Sequence, residues 1–154
     1  MPGYHDYEGD IGQVEILQLE SNQKYSASLP NYYKHYGEEM YHQFTYEIGV
    51  ENRMNPGIID LRLWFFGTGR ADCYGNGGMN CVRRDQIEWF KDKSDSFDMD
   101  DPRRGNGLAF MHHALQEHMT MVNHYPVHGQ KRDMSRCQAV NTGLFSEVLQ
   151  KGTI

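Results

Sequence analysis

Histidine is the residue type here best suited to chemistry, because its imidazole titrates near neutrality and binds metals. Eight histidines stand at positions 5, 35, 42, 112, 113, 118, 124 and 128, the last five within 17 residues. Such clustering raises a metal reading. His124 and His128 have the i, i+4 spacing that puts two ligands on one helical face. Pro126 between them disfavours a helix there, so most of the cluster reads as exposed loop histidine. His112 differs, because it closes the apolar run Leu108-Ala109-Phe110-Met111. In α/β sheets, ligands and metals gather outside the carboxyl ends of strands. A core histidine bonded to a backbone carbonyl is the equal alternative for His112, and both stay open at this point.

The other reactive side chains are Cys73, Cys81 and Cys137. An odd count argues against a secreted disulfide scaffold. A Cys73–Cys81 bridge across the glycine-rich stretch is open, and three reduced thiols are the plainer reading. A zinc site would need a second short Cys or His pair, which the stretch between Cys81 and Cys137 does not supply. The glycines at 67 and 69 follow a strand, as in a dinucleotide fold, but the third glycine and a helix opening directly onto it are missing.

The elements that must position these groups are those of one domain, since the chain has 154 residues. Its apolar fraction, 38%, is below the usual globular range, the shortfall being filled by Tyr, Met, Asn, Gln and Gly. That describes a folded but polar domain that leans on a partner. Net charge is −6 with the signs interspersed. The basic clusters Arg83-Arg84, Arg103-Arg104 and Lys131-Arg132 are only pairs, so the stripe that nucleic acid requires is missing, and no nucleic-acid partner is expected. No apolar run approaches the ~20 residues of a membrane span, and the N-terminus carries no targeting signal. Localisation stays open.

Asp10 with Gln13 resembles a capping box, and Ile11, Val14 and Leu17, widened by Ile16 and Leu19, predict a helix that fades before Ser28-Leu29-Pro30. Residues 31–42 show no clean period. Phe44, Tyr46, Ile48 and Val50 alternate with polar residues, which predicts a half-buried strand. Ile59, Leu61, Leu63 and Phe65 share one parity, while Asp60 and Arg62 give way to Trp64 and Phe66 on the other. That pattern is a strand half exposed at its start and buried on both faces at its end. A helix is expected from Asp85, with Glu88 completing a capping box and Ile87 and Phe90 on the buried side. Residues 108–112 read as a short buried strand and 114–138 as mostly irregular. A last helix covers about 142–151, with Gly152 as its C-terminal cap. Phe65, Phe110, Ile87 and Phe90 are expected in one apolar core.

Placed in order, these segments resemble a known family. Gly3-Tyr4-His5-Asp6, followed by Tyr7-Glu8-Gly9-Asp10, resembles the Gly-Asn-His-Asp motif of calcineurin-like metallophosphoesterases. Leu63-Trp64-Phe65-Phe66-Gly67-Thr68-Gly69 is similar to the strand and turn before a variable loop in their purple-acid-phosphatase-like branch. Arg84-Asp85-Gln86-Ile87-Glu88-Trp89-Phe90 resembles that branch's helix with its Gln-x-x-Trp-Phe pattern. Leu108-Ala109-Phe110-Met111-His112 resembles its next strand, whose terminal histidine binds metal, and Val140-Asn141-Thr142-Gly143-Leu144-Phe145 its Val-Asn-Ser-Gly-Phe-Phe segment.

The resemblance implies two-metal hydrolysis of phosphate esters, in which paired divalent ions polarise the phosphoryl oxygens and generate an attacking hydroxide. It makes His5 the catalytic residue that helps protonate or stabilise the leaving oxygen, and His112 a metal ligand. Departures from the pattern are substantial. Tyr4 stands where the family has a ligating asparagine, and a neutral phenol is a poor ligand for hard cations. Gly67 replaces the aspartate of the strand-end turn, and Ala114 and Gln116 replace prolines. The family's Asp-x-His, Gly-Asp-x-x-Asp and Gly-His-x-His motifs are missing, so of the usual ligands His112 alone remains. The expected fold is therefore α/β, with 1–154 a single partial domain: the interior portion of a metallophosphoesterase-like αββα sandwich with an incomplete sheet. The family uses two divalent metal ions, but no cofactor is expected for this chain, which reads as a structural or interaction subunit with a protein partner or larger assembly. The alternative is a fragment of an active calcineurin-like phosphatase or phosphodiesterase whose other metal motifs lie outside these residues.

Overall fold

The computed structural model describes residues 6, 8–28, 34–35, 38–39, 44–69, 72–98, 100–126, 128–130 and 136–152. His5 and Tyr4, like His42, Lys131 and Arg132, lie outside the described residues. In chain order the elements are helix α1 (Gln13–Ser21), strands β1 (Lys34–His35), β2 (Glu38–Glu39), β3 (Tyr46–Glu51) and β4 (Ile59–Phe66), helix α2 (Arg84–Asp95), strand β5 (Asn106–Met111), and helices α3 (Gln116–His124) and α4 (Leu144–Gln150). The protein is thus a mixed α/β structure. No helix among the described residues is long and apolar enough to cross a membrane.

Strands β1 and β2 form a two-residue hairpin ladder within the segment that shows no period. The sheet that matters has the order β3-β4-β5. The alternating segments 44–50 and 59–66 pair antiparallel, Tyr46 opposite Phe65 and Ile48 opposite Leu63, with an irregularity at Val50/Glu51. β4 and β5 run parallel, Phe65 beside Phe110 and Phe66 beside Met111. A parallel pair requires a crossover connection, and α2 lies on it.

Period two divides the sheet into two faces. On one, Trp64 and Phe66 meet Trp89 and Phe90 of α2 edge to face, with centroids 4.8–6.4 Å apart. Val82, Ile87, Leu144 and Val148 complete this core, and Ala109, Met111 and Leu115 pack on it. On the other face Tyr46 stacks on Phe65 at 4.7 Å and Phe65 on Phe110 at 5.2 Å. Tyr46 is buried there, and burial raises its phenol above the ordinary value although a hydrogen bond with Ser28 works against the rise. Coverage stops at β5, where Phe110 is 42% exposed. The expected single core of Phe65, Phe110, Ile87 and Phe90 is therefore corrected: the first two lie on the opposite face from the last two. Alternation gives parity, and helix placement decides which parity is covered.

Arg62 is also buried, where the alternation suggested an exposed start to the strand. Its guanidinium pairs with Glu47, bonds the carbonyls of Arg103 and Arg104, and lies 4.2 Å from the Phe97 ring centroid. Such a buried charge is tolerable because it is fully partnered.

Helix ends differ from the sequence reading by two residues. α1 starts after Gly12, whose amide bonds the Glu15 carboxylate at 2.6 Å, rather than after Asp10 with Gln13. α2 starts after Arg83, whose amide bonds Gln86 Oε1 at 2.7 Å, rather than from Asp85 with Glu88. Of the expected α1 stripe Leu17 is buried, while Ile11 and Leu19 are exposed; the side chain of Val14 lies outside the described residues. α3 occupies a stretch read as irregular, because it buries no residue and so leaves little periodic trace. It stops at His124, before Pro126 as expected. α4 ends as expected, Gly152 taking φ +67° and donating its amide to Leu149. At the entrance to β5, Gly105 has φ +64°, and a Cβ there would sit 2.9 Å from Ile59 Cγ2 and 3.0 Å from its carbonyl oxygen. Only glycine fits that turn.

Candidate functional site

β5 ends at Met111, so His112 follows the carboxyl end of a parallel strand, the position the sequence singles out. Its side chain is exposed and its ring lies 5.0 Å from that of His113. The alternative weighed for His112, a core histidine bonded to a backbone carbonyl, describes His113 instead. That imidazole is buried and its Nδ1 lies 3.2 Å from the Asn80 carbonyl oxygen. Burial lowers its pKa below the ordinary value, the charge on His112 adds to the fall, and the Asn80 hydrogen bond opposes it. In the bend that follows β5, one histidine of the pair faces solvent and its neighbour the interior.

Two buried glutamines hold the surrounding loops. Gln86 Nε2 donates to Thr45 Oγ1 and to the Gly67 carbonyl, tying α2 to the start of β3 and the end of β4. Gln138 Oε1 accepts from the Val82 amide while its Nε2 donates to the His113 carbonyl, both at 3.0 Å. Each bonds two backbone groups: Gln86 the Gly67 carbonyl and the Arg83 amide, Gln138 the Val82 amide and the His113 carbonyl. Cys73 and Cys81 form a disulfide, which corrects the reading of three reduced thiols; Cys137 remains outside it.

Beside His112 opens a cleft of about 820 Å³, lined by Phe65, Phe110, Met111, Leu115, Met121 and Phe145 among others. Its size is in the range of about 300–1,000 Å³ typical of ligand pockets. The titratable groups on its wall are His112, Glu117 and His118. Glu117 Oε1 already accepts from Asn141 Nδ2 at 2.7 Å. His124 is the last residue of α3, whose cap Tyr125 is extended, so His124 and His128 do not share a helical face.

The two divalent ions of the resemblance do not fit the described residues. Among them no group of three or more His, Cys, Asp or Glu side chains stands close enough to hold an ion. Gly67, at the turn where the family has an aspartate, contributes only its backbone, which is taken up by Thr45 and Gln86. The arrangement can instead bind: it offers an apolar cleft, a polar rim, and a strand hydrogen-bonded on one side only among the described residues. Sequence reasoning missed Gln86 as a tie between strands, Gln138, and the cleft residues Met121 and Phe145. The Gln86 signal was present, since a helix-start glutamine can cap; nothing marked Gln138. Comparison of the chain with family models, with curated proteins and with solved structures finds no match.

Proposed function

We propose that this chain is a metallophosphoesterase-like module that acts as a structural or interaction subunit rather than as a hydrolase. Its three-stranded sheet would be the interior portion of an αββα sandwich. The observation that carries this reading is the apolar cleft along the β5 side of the sheet, where the strand has β4 as its one described neighbour and Phe110 stands exposed. Unpaired strand edges and large apolar surfaces are ordinarily covered in isolated proteins, so a protein partner or larger assembly is the natural complement. Losing the metal centre would remove both the nucleophile and the charge stabilisation of phosphoryl transfer.

The second reading, part of an active phosphatase or phosphodiesterase, is favoured by His112 at the end of a parallel strand. Elemental analysis and an aryl phosphate assay separate the two. Binding of no stoichiometric zinc or manganese, with hydrolysis at the buffer level, is expected. Two metal equivalents per chain, or turnover lost in His112→Ala, would restore the enzyme. Light scattering that finds a stable, cooperatively folding monomer would count against the partner.

A further inference from the structure

The loop closed by the Cys73–Cys81 disulfide is held in an unfavourable backbone conformation. Asp72 and Tyr74, which flank Cys73, are the two non-glycine residues of positive φ among those described, at +68° and +54°. The left-handed region is costly for L-residues and persists only where the surroundings impose it. A bridge spanning eight positions is such a constraint, because it limits what Cys73 and its neighbours can do.

Contacts leave this loop in two directions. Tyr74 Oη accepts the amide of Arg84, the first residue of α2, at 2.9 Å. At the other end, the Met79 carbonyl accepts from the Ala139 amide at 3.0 Å, the Asn80 carbonyl lies against His113 Nδ1, and the Val82 amide donates to Gln138. Gln138 in turn holds the His113 carbonyl, and the Ala114 carbonyl accepts the Gln138 amide at 2.9 Å. Ala114 and Leu115 line the cleft. One short bridge thus stands between the start of α2 and the wall of the cleft.

We propose that Cys73–Cys81 is a redox latch that holds the first turn of α2 and the segment around His113 and Gln138 in place, and that its reduction loosens both. The reductant is a dithiol. One thiolate attacks a bridge sulfur to give a mixed disulfide, and the second thiol displaces it. Cys73 and Cys81 are left as thiols and the reductant as a cyclic disulfide, with two electrons and two protons transferred. Both sulfurs are buried, but Asp72, Tyr74, Gly75, Asn76, Gly77 and Gly78 are exposed, so a local opening of the loop admits the reductant. Once the bridge is open, Asp72 and Tyr74 can return to right-handed φ, which displaces the Tyr74 hydroxyl from α2 and Asn80 from His113. The oxidised and reduced loops therefore favour different conformations.

Hydrogen exchange read by mass spectrometry tests the latch without reference to any partner. The full chain carries Cys137→Ser, so that the third thiol cannot exchange, and is measured with the bridge intact and after reduction by dithiothreitol. Exchange at residues 79–87, 112–115 and 136–140 is expected to quicken tenfold or more on reduction, while 59–66 and 106–111 change less than twofold. Adding Cys73→Ser and Cys81→Ser should reproduce that pattern without reductant. Acceleration confined to 72–81 would overturn the proposal, since the bridge would then act only on its own loop. So would uniform acceleration of the whole chain, which would make the bridge a general brace.

Discussion

Gln86 Nε2 donates to Thr45 Oγ1 at 2.5 Å, and both side chains are fully buried. The same glutamine bonds the Gly67 carbonyl and the Arg83 amide. Replacing it with alanine would remove these bonds; Thr45 Oγ1 keeps the Gly67 amide, and the buried Gly67 carbonyl loses its side-chain donor. Such a loss costs about 1–3 kcal/mol, so Gln86→Ala is expected to lower stability by roughly that amount. Urea denaturation would check this; a midpoint within error of the parent would remove the clamp.

The two faces of the sheet should respond differently to truncation. Phe90 is fully buried between Trp64 and Phe66, whereas Phe110 is 42% exposed. Phe90→Ala should cost about 3–5 kcal/mol, the usual range for a buried phenylalanine. Phe110→Ala should cost roughly half of that or less, because much of its surface never leaves water. Equal losses in chemical denaturation would show that the Phe110 face is covered after all.

Gly105 tests the turn into β5. Gly105→Ala must place a methyl group 3.0 Å from the Ile59 carbonyl oxygen at φ +64°. Strain at a left-handed position costs on the order of 1–3 kcal/mol before the clash is added. A drop in melting temperature is expected, larger than for Gly57→Ala, where nothing lies within 4 Å of the new methyl.

His113 makes stability depend on pH. Its folded-state pKa is lowered, chiefly by burial, so the unfolded chain binds the proton more readily. Its contribution is whole above the ordinary imidazole value of about 6.5 and is lost as pH falls below it, flattening once the folded form is protonated too. The urea midpoint should decline between pH 7.5 and pH 5.5, and His113→Gln should make that decline shallower. An unchanged slope in the variant would assign the dependence to other groups.

Periodicity reveals β3 and β4 because a two-residue repeat survives in Tyr46, Ile48 and Val50 and again from Leu61 to Phe66. It does not reveal which face α2 covers, so Phe65 and Phe110 lie on the face opposite Ile87 and Phe90 rather than in one core with them. Helix starts were displaced because Asp10 with Gln13 and Gly12 with Glu15 fit the same spacing; the carboxylate of Glu15 is the better acceptor for a helix N-terminus. His112 lies one residue beyond the end of β5 rather than within the strand, and the buried member of the pair is His113. Gln138 was invisible, since its partners Val82 and His113 are 56 and 25 positions away.

The strand β5 reads Asn-Gly-Leu-Ala-Phe-Met, with no charge and no proline. Protein edges are ordinarily guarded by lysine, proline or a bulge that discourages unwanted pairing. Without such gatekeepers, this edge is expected to favour self-association as concentration rises. In concentrated stocks the protein should be lost to precipitation at temperatures where the core of Trp64, Phe66 and Phe90 is still intact, and a single lysine in place of Leu108 should lengthen its storage life.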